Sequence, residues 1–366
     1  MATERAISSN NSGVVLIVVM WIALGLTSVA LYFGNSTLLE NRASDYDVAG
    51  HQAAQAVEGA RRYAAFVLDN LEQLSLPPDT ETYEAEQVEV GEGAFWFVGR
   101  AYDGTASAEE PVFGFIDEAS KLNINAATLE MLQALPDMPL DFAAAIVDWR
   151  DENEDPSPEG AESASYALLD PPYNSKNSNF ETVEELRLVM GADDELLYGE
   201  DVNRNGVLDP NEDDGDASYP NDNADGRLDF GLMEYLTVYT GGLINPFTAP
   251  VEVLACLPGL DESMAHDVVA YRSGLADNDW GDTAWVDEAI EGVLPTVTRN
   301  LMTGTIDVFT VDIVAVGRHG RGFRRDAFVF DTTAGVPQVV FRRDLTRLGW
   351  PLGREVREQY AEADRQ

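Results

Sequence analysis

The chain has 366 residues and a formal charge of −42, from 65 acidic and 23 basic side chains. That length allows two or three domains, and 45% hydrophobic residues suffice for packed cores, which excludes wholesale disorder. So negative a chain is a poor match for nucleic acid phosphate or anionic lipid headgroups. One cysteine and three histidines (His51, His266, His319) argue against a disulfide framework, a zinc cluster and a histidine-based triad.

No charged side chain lies between Arg5 and Glu40, and Val14 to Phe33 reads VVLIVVMWIALGLTSVALYF. Twenty helical residues at about 1.5 Å each cover roughly 30 Å, the thickness of bilayer hydrocarbon. A secretory signal has a shorter apolar run, so the stretch reads as one membrane helix. Glu4 cancels Arg5, which leaves orientation open on charge alone. Residues 35–75 contain no proline, and Ala53, Ala56, Val57, Ala60, Ala64, Val67, Leu68 and Leu71 recur at helical steps. The spacing predicts one stem helix, half in lipid and half amphipathic, ended by Pro77-Pro78.

The leader MATERAISSNNSG, ending in Gly13 directly before Val14, resembles a prepilin-type leader. That resemblance implies cleavage by a prepilin peptidase between Gly13 and Val14. Most pilins carry Glu at the fifth mature position, which here is Val18. Its absence is similar to the K-type minor pseudopilin of type II secretion. An ionised Glu in hydrocarbon is costly without a partner, and a subunit at the end of a filament has no subunit ahead to supply one.

After the stem, Glu86 to Tyr102 reads as strand, turn, strand, with Gly91 and Gly93 at the turn. Val112 to Ile116 suggests a third strand. Asp307 to Gly317 and Phe323 to Phe330 alternate as a pair around RHGRG, and Gln338 to Arg342 adds an edge. Strands before about 117 and after about 305 can pair into one antiparallel sheet against the stem, which makes the material between them an insertion.

That insertion contains a repeat. Residues 121–150 and 242–272 share a Leu-Pro (Leu135-Pro136, Leu257-Pro258) and identical spacing from the proline to Arg150 or Arg272. Pairing Asn125 with Asn245 leaves a two-residue length difference before it. Each copy resembles a helix-hairpin-helix unit. Asp137, Asp141, Asp261 and Glu262 at the hairpins would repel phosphate, so protein contact or structural use is favoured over DNA. Cys256 reads as a small core residue.

Between the copies, Asp148-Trp149, Gly160-Ala161-Glu162, Tyr166, Asp170-Pro171-Pro172-Tyr173 and Glu185-Leu186-Arg187 carry a second resemblance to the K-type pseudopilin. It implies an α+β fold: a pilin-like N-terminal long helix packed on an antiparallel sheet, with a large inserted α-helical domain holding the two repeats. The expected divisions are leader 1–13, transmembrane helix 14–33, stem and first strands 34–117, inserted domain 118–304, closing strands 305–345 and extension 346–366. The implied partners are minor pseudopilins I and J, other pseudopilins and the inner-membrane assembly platform. The implied place is the inner membrane, single-pass, with a periplasmic body.

Residues 193–230 hold thirteen acids and two bases. Asp201, Asn203, Asn205, Val207, Asp209 and Glu212 occupy positions one, three, five, seven, nine and twelve of an EF-hand loop, with Gly206 at the sharp turn. All-oxygen ligands suit Ca2+. A partial second copy runs Asn221, Asn223, Asp225, Arg227, Asp229. Its twelfth residue is Leu232, so Glu234 or an acid from elsewhere must complete it. A third alternation, Asp151, Asn153, Asp155, has Pro156 where glycine is required and reads as a solvated loop. A structural role for Ca2+ follows from the number of like charges it would neutralise.

No Gly-x-Ser-x-Gly, Gly-x-x-x-x-Gly-Lys or His-Glu-x-x-His occurs, and lysines number two, so no enzyme is expected. From Arg318 onward ten arginines meet seven acids, an edge able to meet an acidic neighbour. The resemblance implies a subunit at the tip of the type II secretion pseudopilus that helps start assembly and limits filament length. The alternative is a membrane-tethered, calcium-binding module for DNA uptake or adhesion.

Overall fold

A computed structural model describes residues 12–71, 75–101, 110–275 and 281–363, so the first eleven leader residues lie outside the described residues. Helix α1 (Ser12–Asp69) is continuous over 58 residues, and Gly13 and Val14 fall in its first turn. Burial divides it. From Val14 to Phe33 its large apolar side chains are 50–72% exposed, touching nothing that would keep them from lipid. From Ala49 onward, Ala53, Ala56, Val57, Ala60, Ala64 and Leu68 are buried. The helix stops at Asp69, before the Pro77-Pro78 pair expected to end it. Asn70 donates its side-chain amide to the Phe66 carbonyl at 2.7 Å and so satisfies one of the orphan carbonyls of the last turn.

The strands among the described residues are β1 (Val88–Val90), β2 (Gly93–Val98), β3 (Ile116–Asp117), β4 (Leu122–Asn123), β5 (Leu236–Thr237), β6 (Val308–Val316), β7 (Phe323–Asp331) and β8 (Gln338–Asp344). The main sheet runs β1-β2-β6-β7-β8 with antiparallel neighbours, and β3 also pairs with β6. The expected third strand begins later than Val112: pairing starts at Ile116, and Phe113 only bridges Val98. Alternation puts Phe95, Phe97, Phe309, Val311, Ile313, Phe328 and Phe330 on the α1 face. Trp96, Val98, Val314 and Val316 face the other way, where Leu352 and Tyr360 of the final segment cover them. Close approach of stem and sheet depends on glycine. A Cβ on Gly317 would lie 2.2 Å from the Ala49 carbonyl oxygen.

The insertion leaves after β3 and returns before β6. Its helices are α2 (Leu129–Gln133), α3 (Leu140–Arg150), α4 (Ser163–Tyr166), α5 (Asp194–Tyr198), α6 (Leu232–Tyr235), α7 (Val251–Leu254), α8 (Glu262–Arg272), α9 (Trp285–Ala289) and α10 (Thr296–Arg299). Helix α11 (Gly353–Ala363) follows the sheet. One apolar core joins α2, α3, α7 and α8 through Leu132, Phe142, Ile146, Leu254 and Val268. A short parallel pair, β4 with β5, was not foreseen.

The two stretches make matching hydrogen bonds, in a register that differs from the one read in sequence. Asn123, not Asn125, is the counterpart of Asn245. Each side-chain oxygen accepts the amide two residues on, and each carbonyl accepts from Ala127 or Ala249. At the far end Arg150 donates to the Ile124 and Ala127 carbonyls, and Arg272 to those of Pro246 and Ala249. The offset is therefore constant and the length difference disappears. Asn125 has a separate task, exchanging two hydrogen bonds with the Phe180 backbone at 2.8 and 3.0 Å.

Most arginines of the closing strands are engaged within the chain. Arg318 and Arg321 meet Asp45 of the stem at 2.7 and 3.3 Å. Arg343 reaches Glu184 at 2.5 Å. Arg325 is fully buried on Asp312 at 2.5 Å. Removing one partner of a buried pair strands the other charge. Asp312→Ala should therefore cost about 3–5 kcal/mol, whereas Asp45→Ala, at a surface pair, should cost about 1 kcal/mol or less. Denaturant unfolding of the detergent-solubilised protein measures both, and equal losses would contradict the assignment.

Candidate metal centre

The first acidic loop follows α5 and folds as its spacing predicts. Asp201 takes the amides of Asn205 and Gly206 at 2.9 Å each, one on either carboxylate oxygen. The backbone turns left-handed at Arg204 (φ 57) and Gly206 (φ 72), the fourth and sixth positions. Asn203 and Asn205 donate to Asp209 Oδ2 at 2.6 and 3.1 Å, and the Val207 amide donates to Asn205 Oδ1 at 2.8 Å. Glu212 returns at position twelve, where its Oε2 accepts the Asp209 amide at 3.0 Å.

The loop is no surface feature. Asp201, Asn205 and Glu212 are 1–3% exposed. Arg325 donates to the carbonyls of Asn203 and Arg204 at 2.6 and 2.7 Å, and Asn205 donates to the Pro351 carbonyl at 2.8 Å. The sheet and the segment before α11 therefore hold the loop from outside. No basic side chain forms an ion pair with Asp201, Asp209 or Glu212 among the described residues. Burial raises the pKa of Asp201, opposed by the nearby Arg100 charge. Burial likewise pushes Glu212 from 4.5 up to about 8, with Asp201 and Asp209 adding repulsion.

Two buried oxygens in this loop have no hydrogen-bond partner: Asn203 Oδ1 and Glu212 Oε1. They sit at ligand positions three and twelve. Buried polar atoms are normally satisfied, and a hard cation would satisfy both while offsetting three carboxylates. The residues present therefore fit Ca2+, with Asp201, Asn203, Asn205, Asp209, Glu212 and the Val207 carbonyl as its holders.

The second loop repeats the same backbone on the surface. Ala224 (φ 52) and Gly226 (φ 77) match Arg204 and Gly206. Asn223 donates to Asp229 Oδ2 at 2.9 Å, as Asn203 does to Asp209, and the Arg227 amide takes Asp225 Oδ1 at 2.9 Å. Asn221, Asn223, Asp225, Arg227 and Asp229 are all exposed. Leu232 at position twelve is buried in the core. Glu234 does not join this loop; it pairs with Arg100 at 2.7 Å, on the side of the first loop. The acid at hand is Glu200. Its two oxygens accept the amides of Asn223 and Asp229 at 3.2 and 3.0 Å, the second contact reproducing that of Glu212 on Asp209. Sequence spacing could not find Glu200, because it precedes its loop instead of ending it.

Residues 118–198 match the family described as type II secretion system protein K. The stretch runs from just after β3 to the end of α5. This region is similar to the protein K family. A type II secretion system protein K of Pectobacterium carotovorum subsp. carotovorum is 43% identical over 55 residues, 15% of this chain and 17% of that protein. The aligned stretch thus spans well under two thirds of that relative. A chain in the crystal structure of the GspK-GspI-GspJ complex from the enterotoxigenic Escherichia coli type 2 secretion system shares the fold, with a TM-score of 0.51 at 14% identity. That match covers 83% of this chain and 98% of the other. The mixed α+β architecture, a long N-terminal helix with an antiparallel sheet, agrees with it.

The burial of Glu212 has a pH signature. A carboxyl raised in the fold contributes stability below its unfolded value of 4.5 and loses it as pH climbs toward about 8. In chelator, wild type should therefore weaken relative to Glu212→Gln over that window. A difference between the two that stays flat with pH would remove the assignment.

Proposed function

We propose that the chain is a K-type minor pseudopilin, anchored in the inner membrane by Val14–Phe33 with its body in the periplasm. It works at the tip of the pseudopilus with I- and J-type subunits, where it helps start assembly and limits length. It is a structural subunit, not an enzyme. The observation that carries this reading is the family-matched segment, 118–198, seated in an insertion hung from a sheet on a long apolar stem. A chain of the GspK-GspI-GspJ complex shares that fold. A stem exposed on all sides over Val14–Phe33 suits lipid or neighbouring stems. An insertion of this bulk would obstruct close stacking along a shaft, which favours an end position.

Ca2+ in the first loop, and in the second with Glu200, is the structural cofactor of this reading. It braces the joint between insertion and sheet, stabilising the folded state by linkage. Prepilin peptidase would release Val14 as the mature N-terminus, and the assembly platform and other pseudopilins would receive the stem. The DNA-uptake alternative gains nothing from the fold, whose hairpin acids Asp137, Asp141, Asp261 and Glu262 remain in place to repel phosphate.

Millimolar Ca2+ should raise the melting temperature of the chelator-treated protein by several degrees, on the order of a 2–4 kcal/mol linkage gain. Glu212→Gln should lose most of that rise; an unchanged rise would exclude the first loop. Co-purification with I- and J-type subunits tests the assembly role, and failure to bind either in Ca2+ would refute it. Sequencing the membrane-bound protein should give Val14 first, and release by cleavage after the apolar run would defeat the stem assignment.

A further inference from the structure

A cavity of about 70 Å3 lies between the insertion and the sheet. Strands β7 and β8 wall one side with Val329, Phe341 and Arg343, on the face turned away from the stem, and the insertion walls the other with Met233, Leu236 and Tyr239. At about 10–15 Å3 per water there is room for roughly five heavy atoms.

Among the described residues, Lys121, Arg204 and Arg343 line this space against two acids, Glu118 and Glu184. Glu184 is shared, by Arg204 at 3.4 Å and by Arg343 at 2.5 Å. Glu118 already accepts the Thr237 and Thr310 hydroxyls and meets Lys121 loosely, at 3.5 Å. Glu234, the next acid, is taken by Arg100 at 2.7 Å. Three cations therefore meet two anions where water is scarce: the side chains of Lys121 and Arg204 are 15% and 17% exposed. Arg204 also donates to the Met233 sulfur, a weak acceptor. Burial lowers its pKa, and the like charge of Arg343 lowers it further. Tyr239 Oη is buried and has no hydrogen-bond partner. Burial raises the pKa of that hydroxyl against the nearby Arg343 charge, so it stands as a neutral donor. Arg343 and Glu184 are partly exposed, which leaves the space reachable from solvent.

Surplus positive charge, an unused buried hydroxyl and free volume beside them suit an anion. A guanidinium and an ammonium favour oxyanions, and the apolar lining favours one that carries a short alkyl tail over an inorganic ion. We propose that this cavity binds a small aliphatic carboxylate of acetate to propionate size, its head on Lys121, Arg343 and the Tyr239 hydroxyl and its tail against the apolar lining. Such a ligand links Lys121 of the insertion to Arg343 of β8 across the joint, with no part played by the acidic loops.

The full chain in detergent, held in Ca2+ and without other subunits, is melted over a titration of sodium acetate, with sodium chloride keeping ionic strength constant. Wild type should show a rise in melting temperature that saturates, unlike the linear effect of an excluded salt. Propionate should reach half of its effect at about fourfold lower concentration, since one more methylene is buried. Tyr239→Phe keeps the ring, which packs on Phe341 with centroids 5.6 Å apart. It should melt no lower than wild type without ligand and need about tenfold more acetate. Lys121→Gln should lose most of the rise. The proposal falls if chloride or sulfate gives the same saturable rise, or if propionate acts no more strongly than acetate. It falls equally if both variants keep the wild-type midpoint, the pattern of an ion-pair network filled by water alone.

Discussion

The fold depends on one buried guanidinium. Arg325 sits on β7 with no exposure, and its charge is met by Asp312 on the neighbouring strand β6. Asp312 alone leaves donors of the guanidinium unused, and the Asn203 and Arg204 carbonyls take them. A buried arginine is tolerable only when its donors are satisfied as well as its charge. The sheet therefore requires the acidic loop to lie against it, and the loop takes its position from the sheet. Arg100 repeats the arrangement from the end of β2, donating to the Arg204 carbonyl at 3.1 Å while paired with Glu234. Two basic residues of the sheet side thus hold one loop of the insertion, and whatever rigidifies that loop rigidifies the joint.

This arrangement accounts for the way a chain of −42 charge folds at all. Most buried acids are matched: Asp326 by Arg324 and Arg342, Glu118 by Lys121 and two threonine hydroxyls, Asp117 by Asn245 and Thr248. Among the described residues, the buried carboxylate oxygens without a hydrogen-bond partner are Glu212 Oε1 and Glu162 Oε1, both where acids converge. In an ordinary core such atoms would be defects costing on the order of 1–3 kcal/mol each. Here each lies among converging carboxylates.

What could be read from the sequence followed the range of the interactions. The exposed apolar stretch, the alanine face of the stem and the hairpin β6–β7 all rest on periodicity or spacing within a dozen residues, and all were legible. The end of α1 was misjudged because Asn70 caps it well before a proline is needed. The repeat register went astray at Asn125, whose true partner, Phe180, lies in a separate segment. Glu200 escaped because it bonds its loop from the residues ahead of it. The arginines of the closing strands looked free for docking because Asp45 and Glu184 are distant in sequence.

The way the insertion is hung explains how so large an element can sit in a small sheet. Its first residues leave β3 and its last residues enter β6, and these two strands pair, Ile116 with Thr310 and Asp117 with Phe309. Departure and return are therefore neighbours, and the sheet closes as it would if a short loop joined them. Asp117 and Glu118 stand at that gate. Asp117 bonds Asn245 and Thr248 of the second repeat, and Glu118 bonds Thr237 and Thr310. Burial raises Asp117 to about 7, against the hydrogen bonds that favour its charge. The gate thus fastens the insertion on one side, and the Arg325-held loop fastens it on the other. The insertion is thus joined to the rest of the fold by two separate sets of buried hydrogen bonds, one at each side.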